Sequence, residues 1–122
     1  MKQPIHRSLA LLGMAKKAGR LSVGSEAAAN AARRGEAAMI ITASDASEAS
    51  VRRAKSNAEA NGVKFVTVPF TMFELGSTAG RGSPGTIAFL DKGLADGFIK
   101  RLAETEDNAK AKTVRKKESD AE

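Results

Sequence analysis

The sequence predicts an α/β fold: a three-layer α-β-α sandwich around a small, mixed, four-stranded sheet. Three observations lead there. Helix-type and strand-type patterns alternate from residue 5 to residue 103. Two short stretches, 37–42 and 86–90, are continuous apolar runs, the signature of strands covered on both faces. The stretch 37–68 reads as strand, helix, strand, which fits a parallel pair joined by a right-handed crossover.

The first helix is expected to begin near Ile5, after Pro4, and to stop at Gly19, because Ile5, Leu9 and Leu12 recur at helical spacing. Arg20 to Val23 is a short extended piece. Gly24-Ser25 opens a second helix that runs through Arg34 and is closed by Gly35. Ala27, Ala28, Ala31 and Ala32 give it a face small enough to lie close to a sheet. Ala37 to Thr42 is a buried strand, and Ser44-Asp45-Ala46-Ser47 supplies a turn and a helix cap. The third helix, from about Ser47 to Ala60, carries Val51, Ala54 and Ala58 on one face and ends at Asn61-Gly62. Val63 to Val68 is the next strand. A short helix, Thr71 to Ser77, leads into a glycine-rich loop ending at Gly85. Thr86 to Leu90 is another buried strand, and Asp91 to Ala103 is the last helix, with Leu94, Phe98 and Leu102 at four-residue intervals.

At 122 residues the chain has room for one domain, expected over 1–103. In 104–122 the only large aliphatic residue is Val114, so this tail is expected to be disordered. The net charge is +6, and +5 of it falls on residues 1–36, where Lys2, Arg7, Lys16, Lys17, Arg20, Arg33 and Arg34 face only Glu26 and Glu36. Such a field suits a polyanion. The absence of cysteine excludes disulfides, thiol nucleophiles and thiolate metal sites, and the single histidine, His6, excludes multi-histidine ones. With no Trp or Tyr and five Phe, an interface built on aromatic stacking platforms is not expected. The longest apolar stretch, 37–43, is too short to cross a bilayer, and the N-terminus has no signal core. The expectation is a cytoplasmic, monomeric protein without cofactor, metal or membrane contact.

Gly80-Arg81-Gly82-Ser83-Pro84-Gly85 matches G-x-G-x-x-G, but a dinucleotide site needs a strand before that pattern and a helix after it. Here the order is reversed, and Pro84 removes an amide donor. The loop reads instead as an exposed segment that can approach another surface, with Arg81 as its charge. His6 has no nucleophile to activate and reads as a structural or phosphate-contacting residue. Asp45 and Glu48 read as helix-terminal carboxylates rather than metal ligands. Gly24-Ser25-Glu26 has two readings. Free amides and the Ser25 hydroxyl suit a phosphate or a base edge, with Glu26 accepting from a base amino group; equally, Ser25 caps the helix and Glu26 complements its dipole.

Three segments in register carry a likeness: Gly24 to Gly35, the strand Ala37 to Thr42 with Ser44-Asp45-Ala46, and Leu75 to Arg81. Together they resemble the ribosomal protein L7Ae/L30e superfamily of RNA-binding proteins. Leu12 to Leu21 and Asp91 to Ala95 are similar to its bacterial YlxQ-type branch. The resemblance implies an α-β-α sandwich that binds structured RNA, in many members a kink-turn. The implied contacts are the start of the second helix, Gly24 to Asn30, and the loop Arg81 to Pro84. Kink-turn binders read glycine, a small residue, Asn, Glu, two variable residues, then Lys. Glu26, Ala27 and Asn30 stand at the last three named positions here, which removes a cation and an acceptor for a guanine edge.

The expected function is non-catalytic binding of structured RNA, kink-turn-like or ribosomal, in a ribonucleoprotein of the translation apparatus. The expected site comprises Lys16, Lys17, Arg20, Gly24, Ser25, Glu26, Asn30, Arg33, Arg34, Arg81, Gly82, Ser83 and Pro84. The alternative is a protein-interaction adaptor of the same fold that has lost specific RNA binding.

Overall fold

The structure, a computed structural model, describes residues 7–80, 82 and 84–104. His6, Arg81, Ser83 and the 105–122 part of the expected tail lie outside the described residues. The order is α1 (Arg7–Lys17), β1 (Leu21–Val23), α2 (Ser25–Arg33), β2 (Met39–Thr42), α3 (Glu48–Ala60), β3 (Lys64–Thr67), α4 (Met72–Ala79) and β4 (Thr86–Phe89), followed by α5 over 92–104. The strands form one sheet in the order β1-β4-β2-β3. β2 and β3 are parallel, as expected, and β4 is antiparallel to both β1 and β2, so the sheet is mixed.

Central position explains the two apolar runs. Every residue of β2 and β4 is buried, because helices cover both faces of these inner strands. Alternation sorts their side chains between two unlike layers. Met39, Ile41, Ile87 and Phe89 face α1, α4 and α5, where they meet Leu9, Leu12, Leu75 and Phe98. The Phe89 and Phe98 rings lie 5.1 Å apart, tilted by 47°. Ile40 and Ala88 face α2 and α3, and there the partners are Ala28, Ala31, Ala32, Ala54 and Ala58. One layer is therefore large and aromatic, the other nearly all methyl groups.

Local departures from expectation have local causes. The small face of α2 buries Ala28, Ala29, Ala31 and Ala32, while Ala27 is exposed. Packing against both the sheet and α3 turns the helix so that Ala29, not Ala27, points inward. α4 continues to Ala79, and Gly80 ends it in the left-handed region at φ 77, with its N–H donated to the Gly76 carbonyl. α5 is capped by Asp91, whose Oδ2 accepts from the Leu94 amide at 2.9 Å. Arg7 and Glu104 form an ion pair at 3.6 Å between the start of α1 and the end of α5. Among the described residues no helix is long and apolar enough to cross a membrane.

Phe98 is fully buried and closes the aromatic layer. Phe98→Ala is expected to lower stability by about 3–5 kcal/mol. Urea unfolding checks this as a lower midpoint at unchanged slope.

Candidate functional site

Strand direction sorts the chain between two ends of the sheet. Gly24 follows β1, Ala43 follows β2 and Val68 follows β3, and β4 starts beside them at Thr86. The N-termini of α2, α3 and α4 therefore gather at this end. The positive ends of three helix dipoles meet there.

Two of the three are closed by side chains. In α3 the Ser47 Oγ accepts from the Ser50 amide at 3.1 Å. In α4 the Thr71 Oγ1 accepts from the Glu74 amide, and Glu74 Oε1 accepts from the Thr71 amide, a reciprocal capping box. Asp45, expected to serve α3, instead reaches across: its Oδ1 accepts from the Met72 amide of α4 at 2.8 Å.

α2 is different. Its N-cap is Gly24, not Ser25, and no side chain caps it. The Gly24 amide donates to the Thr86 carbonyl at 2.8 Å, which continues the β1–β4 pairing by one residue. That pairing, with φ 113 at Gly24, lets the chain turn from strand to helix through this single residue. Ser25 thus becomes the first helical residue, and its hydroxyl donates to Thr86 Oγ1 at 3.4 Å. The amides of Ser25, Glu26 and Ala27 find no acceptor among the described residues.

Beside this opening runs a polar groove between α2 and α3. Ser25, Glu26, Ala29 and Arg33 form one wall, and Arg53 and Asn57 the other. Residues 26, 29 and 33 share a face because they lie three and four apart. The Arg33 guanidinium donates to the Asn30 Oδ1. On the other flank lies the loop that joins α4 to β4. Gly82 is exposed and Pro84 is half-buried, while Gly85 packs by Ala46 and Met72 and its carbonyl accepts from the Ala43 amide at 3.0 Å. Phe73, next to Met72, is 73% exposed, so one aromatic ring stands free at this end.

The structure thus brings Gly24, Ser25, Glu26, Asn30 and Arg33 to one place, with Gly82 and Pro84 at the same end of the sheet. It does not bring Lys16, Lys17, Arg20 and Arg34 there. Lys16 and Lys17 end α1, and the Arg20 carbonyl accepts from Leu90 at the opposite end of β1 from Gly24. Arg34 is the C-cap of α2. Three strand residues span ~10 Å and nine helical residues ~13 Å, against a screening length of about 8 Å in physiological salt. An anion at the start of α2 is therefore largely screened from Lys16, Lys17 and Arg20, whereas Arg34 is set apart by direction: it follows Arg33 but does not line the groove. Arg53 and Asn57 went unread in the sequence; the available signal was the position of Arg53 one residue before the buried Ala54. Among the described residues no group of three or more metal-type side chains clusters.

Gly24 has no atom within 4 Å of where a Cβ would stand, so space is not the constraint there. Gly24→Ala is nevertheless expected to cost more than about 1 kcal/mol, through φ alone. Thermal unfolding measures this as a lowered midpoint.

The family model described as "Ribosomal protein L7Ae/L30e/S12e/Gadd45 family" matches residues 7–96. Among solved structures, a protein with unknown function from Bacillus halodurans C has a TM-score of 0.74 at 22% identity, over 80% of this chain and 98% of that one. A Giardia lamblia 15.5kD RNA binding protein has a TM-score of 0.64 at 17% identity, over 88% of this chain and 92% of that one. At these identities the likeness is one of fold. No curated protein matches the chain.

Proposed function

The chain belongs to the ribosomal protein L7Ae/L30e/S12e/Gadd45 family, and from that premise we propose that it binds structured RNA at the open end of α2, without catalysing a reaction on it. The observation that carries this reading is the uncapped start of α2: three amides without acceptors, beside a groove that holds two arginines, in a chain of net charge +6. Helix N-terminal amides and the dipole suit a phosphate or a polar base edge. Glu26, exposed beside them, repels a phosphate from its own position and accepts from a base amino group. The roles divide accordingly: amides and arginines position the backbone, and Glu26 reads a base. The loop that holds Gly82 and Pro84 approaches the same RNA from the other side, and Arg81 and Ser83 belong to that contact. The Giardia protein of like fold, described as RNA binding, supports the reading.

The ligand class is a folded RNA of the translation apparatus, with ribosomal RNA as the candidate. Where the resemblance implies Lys, this chain has Asn30, which holds Arg33 one turn further along the helix. The cation is thus displaced rather than deleted. That shift favours backbone grip over the guanine-edge contacts of a kink-turn. Lys16, Lys17 and Arg20, at the far end of the sheet, touch a more distant part of a large RNA.

Binding of the protein to ribosomal RNA fragments across a salt series tests this. Three or four phosphate contacts give a slope of log affinity against log salt of roughly −2 to −4. Affinity that ignores salt, or no binding at low salt, contradicts it.

A further inference from the structure

We propose that Arg33 and Arg53 form a clamp across the α2–α3 groove that holds one phosphodiester of the bound RNA. This rests on the RNA-binding reading and adds the element that grips the strand.

The sequence offers two vicinal arginine pairs, Arg33-Arg34 and Arg52-Arg53, and nothing in it separates the members of either pair. The fold separates them. Successive residues of a helix point about 100° apart, and here one member of each pair lines the groove: Arg33 from α2 and Arg53 from α3. Arg34 and Arg52 do not line it. Two guanidiniums from different helices therefore share one open groove, and Glu26 is the sole carboxylate among the lining residues. Among the described residues neither arginine forms an ion pair. Like charges brought together without matching carboxylates repel, and a bound anion removes that cost.

The donor count points the same way. A guanidinium carries five N–H donors in a planar fork that suits phosphate oxygens. Arg33 gives one to Asn30, which fixes its direction along the groove. The Arg53 guanidinium has no hydrogen-bond partner among the described residues. Asn57 adds an amide donor on the α3 wall. Glu26 stands one and two helical turns before Ala29 and Arg33 on the same face, so it repels the phosphate from its own stretch of groove toward the Arg33–Asn57 stretch. The base on the 26 side is then placed against the open α2 amides. A free inorganic phosphate offers the same oxygens, and the test distinguishes the two sources.

The test compares Arg53→Gln with Arg52→Gln, and Arg33→Gln with Arg34→Gln, in the full chain against a ribosomal RNA fragment over a salt series. Each variant removes one charge, all four side chains are exposed, and an unchanged melting temperature confirms folding. Arg53→Gln and Arg33→Gln are expected to weaken binding roughly 5- to 20-fold and to make the salt slope shallower, with the full change of about 0.7 to 0.9 for one lost phosphate contact reached in the double variant. Arg52→Gln and Arg34→Gln are expected to stay within about twofold of wild type, because these side chains do not line the groove and make no direct phosphate contact. The double variant Arg33→Gln/Arg53→Gln is expected to lose less than the product of the single effects, since both hold one phosphate. Equal effects within the vicinal pairs, or no effect of Arg53→Gln while wild type still binds with a steep salt slope, overturn the clamp and leave the RNA reading standing. Absence of wild-type binding overturns both. Inorganic phosphate alone is titrated in parallel; if it occupies the groove as tightly as the RNA does, the clamp serves the free anion and the phosphodiester assignment falls.

Discussion

How closely α2 and α3 can approach the sheet controls everything at the functional end, and alanine sets that distance. Ala28, Ala31, Ala32, Ala54, Ala58 and Ala88 make up most of the buried layer between these helices and the strands. The opposite layer holds Leu12, Met39, Leu75, Phe89 and Phe98. Methyl-on-methyl contact brings helix axes to the short end of the usual 8–10 Å range. α2 starts right after the pairing of Gly24 with Thr86, and the groove beside it has the small Ala29 among its lining residues.

Strand direction supplies the second constraint. Because β1, β2 and β3 end where β4 begins, three helices start side by side. Ser47 satisfies one first-turn amide of α3, Asp45 and Thr71 satisfy two of α4, and Glu74 returns a bond to the Thr71 amide, so both of these helices carry a side-chain cap. The start of α2 is left as the point where positive dipole and free donors coincide. The same topology sends Lys16, Lys17 and Arg20 to the far end. Proximity in sequence put those residues with the α2 contacts; screening over more than a Debye length takes them away.

The layer order and the strands were legible because their signals are local: two continuous apolar runs, glycine stops, and a strand–helix–strand unit of the right length. The likeness to a family singled out the segment 24–30, and the fold puts it at a helix opening. What escaped depends on residues distant in sequence. By local rules Ser25 is the better cap than Gly24, but the Thr86 carbonyl claims the Gly24 amide from 62 positions away and moves the helix start. Asp45 looked like a residue of α3 and caps α4, 27 positions on. Arg53 carried no local signal of a role, and its place in the groove comes from α2 lying beside α3. The exposure of Phe73 follows from which face of α4 meets α1, a matter that a helix of eight residues does not settle by its own pattern.

Backbone amide NMR during titration with a ribosomal RNA fragment, at physiological salt, reads the location of the interface directly. The expected result is that the signals of 24–30, Arg33 and 50–57 shift most, while those of 16–20 and 34–36 barely move. Shifts centred on 16–20 and 34–36, with the start of α2 undisturbed, would place the RNA at the wrong end of the sheet and contradict the role given to the open helix and its groove.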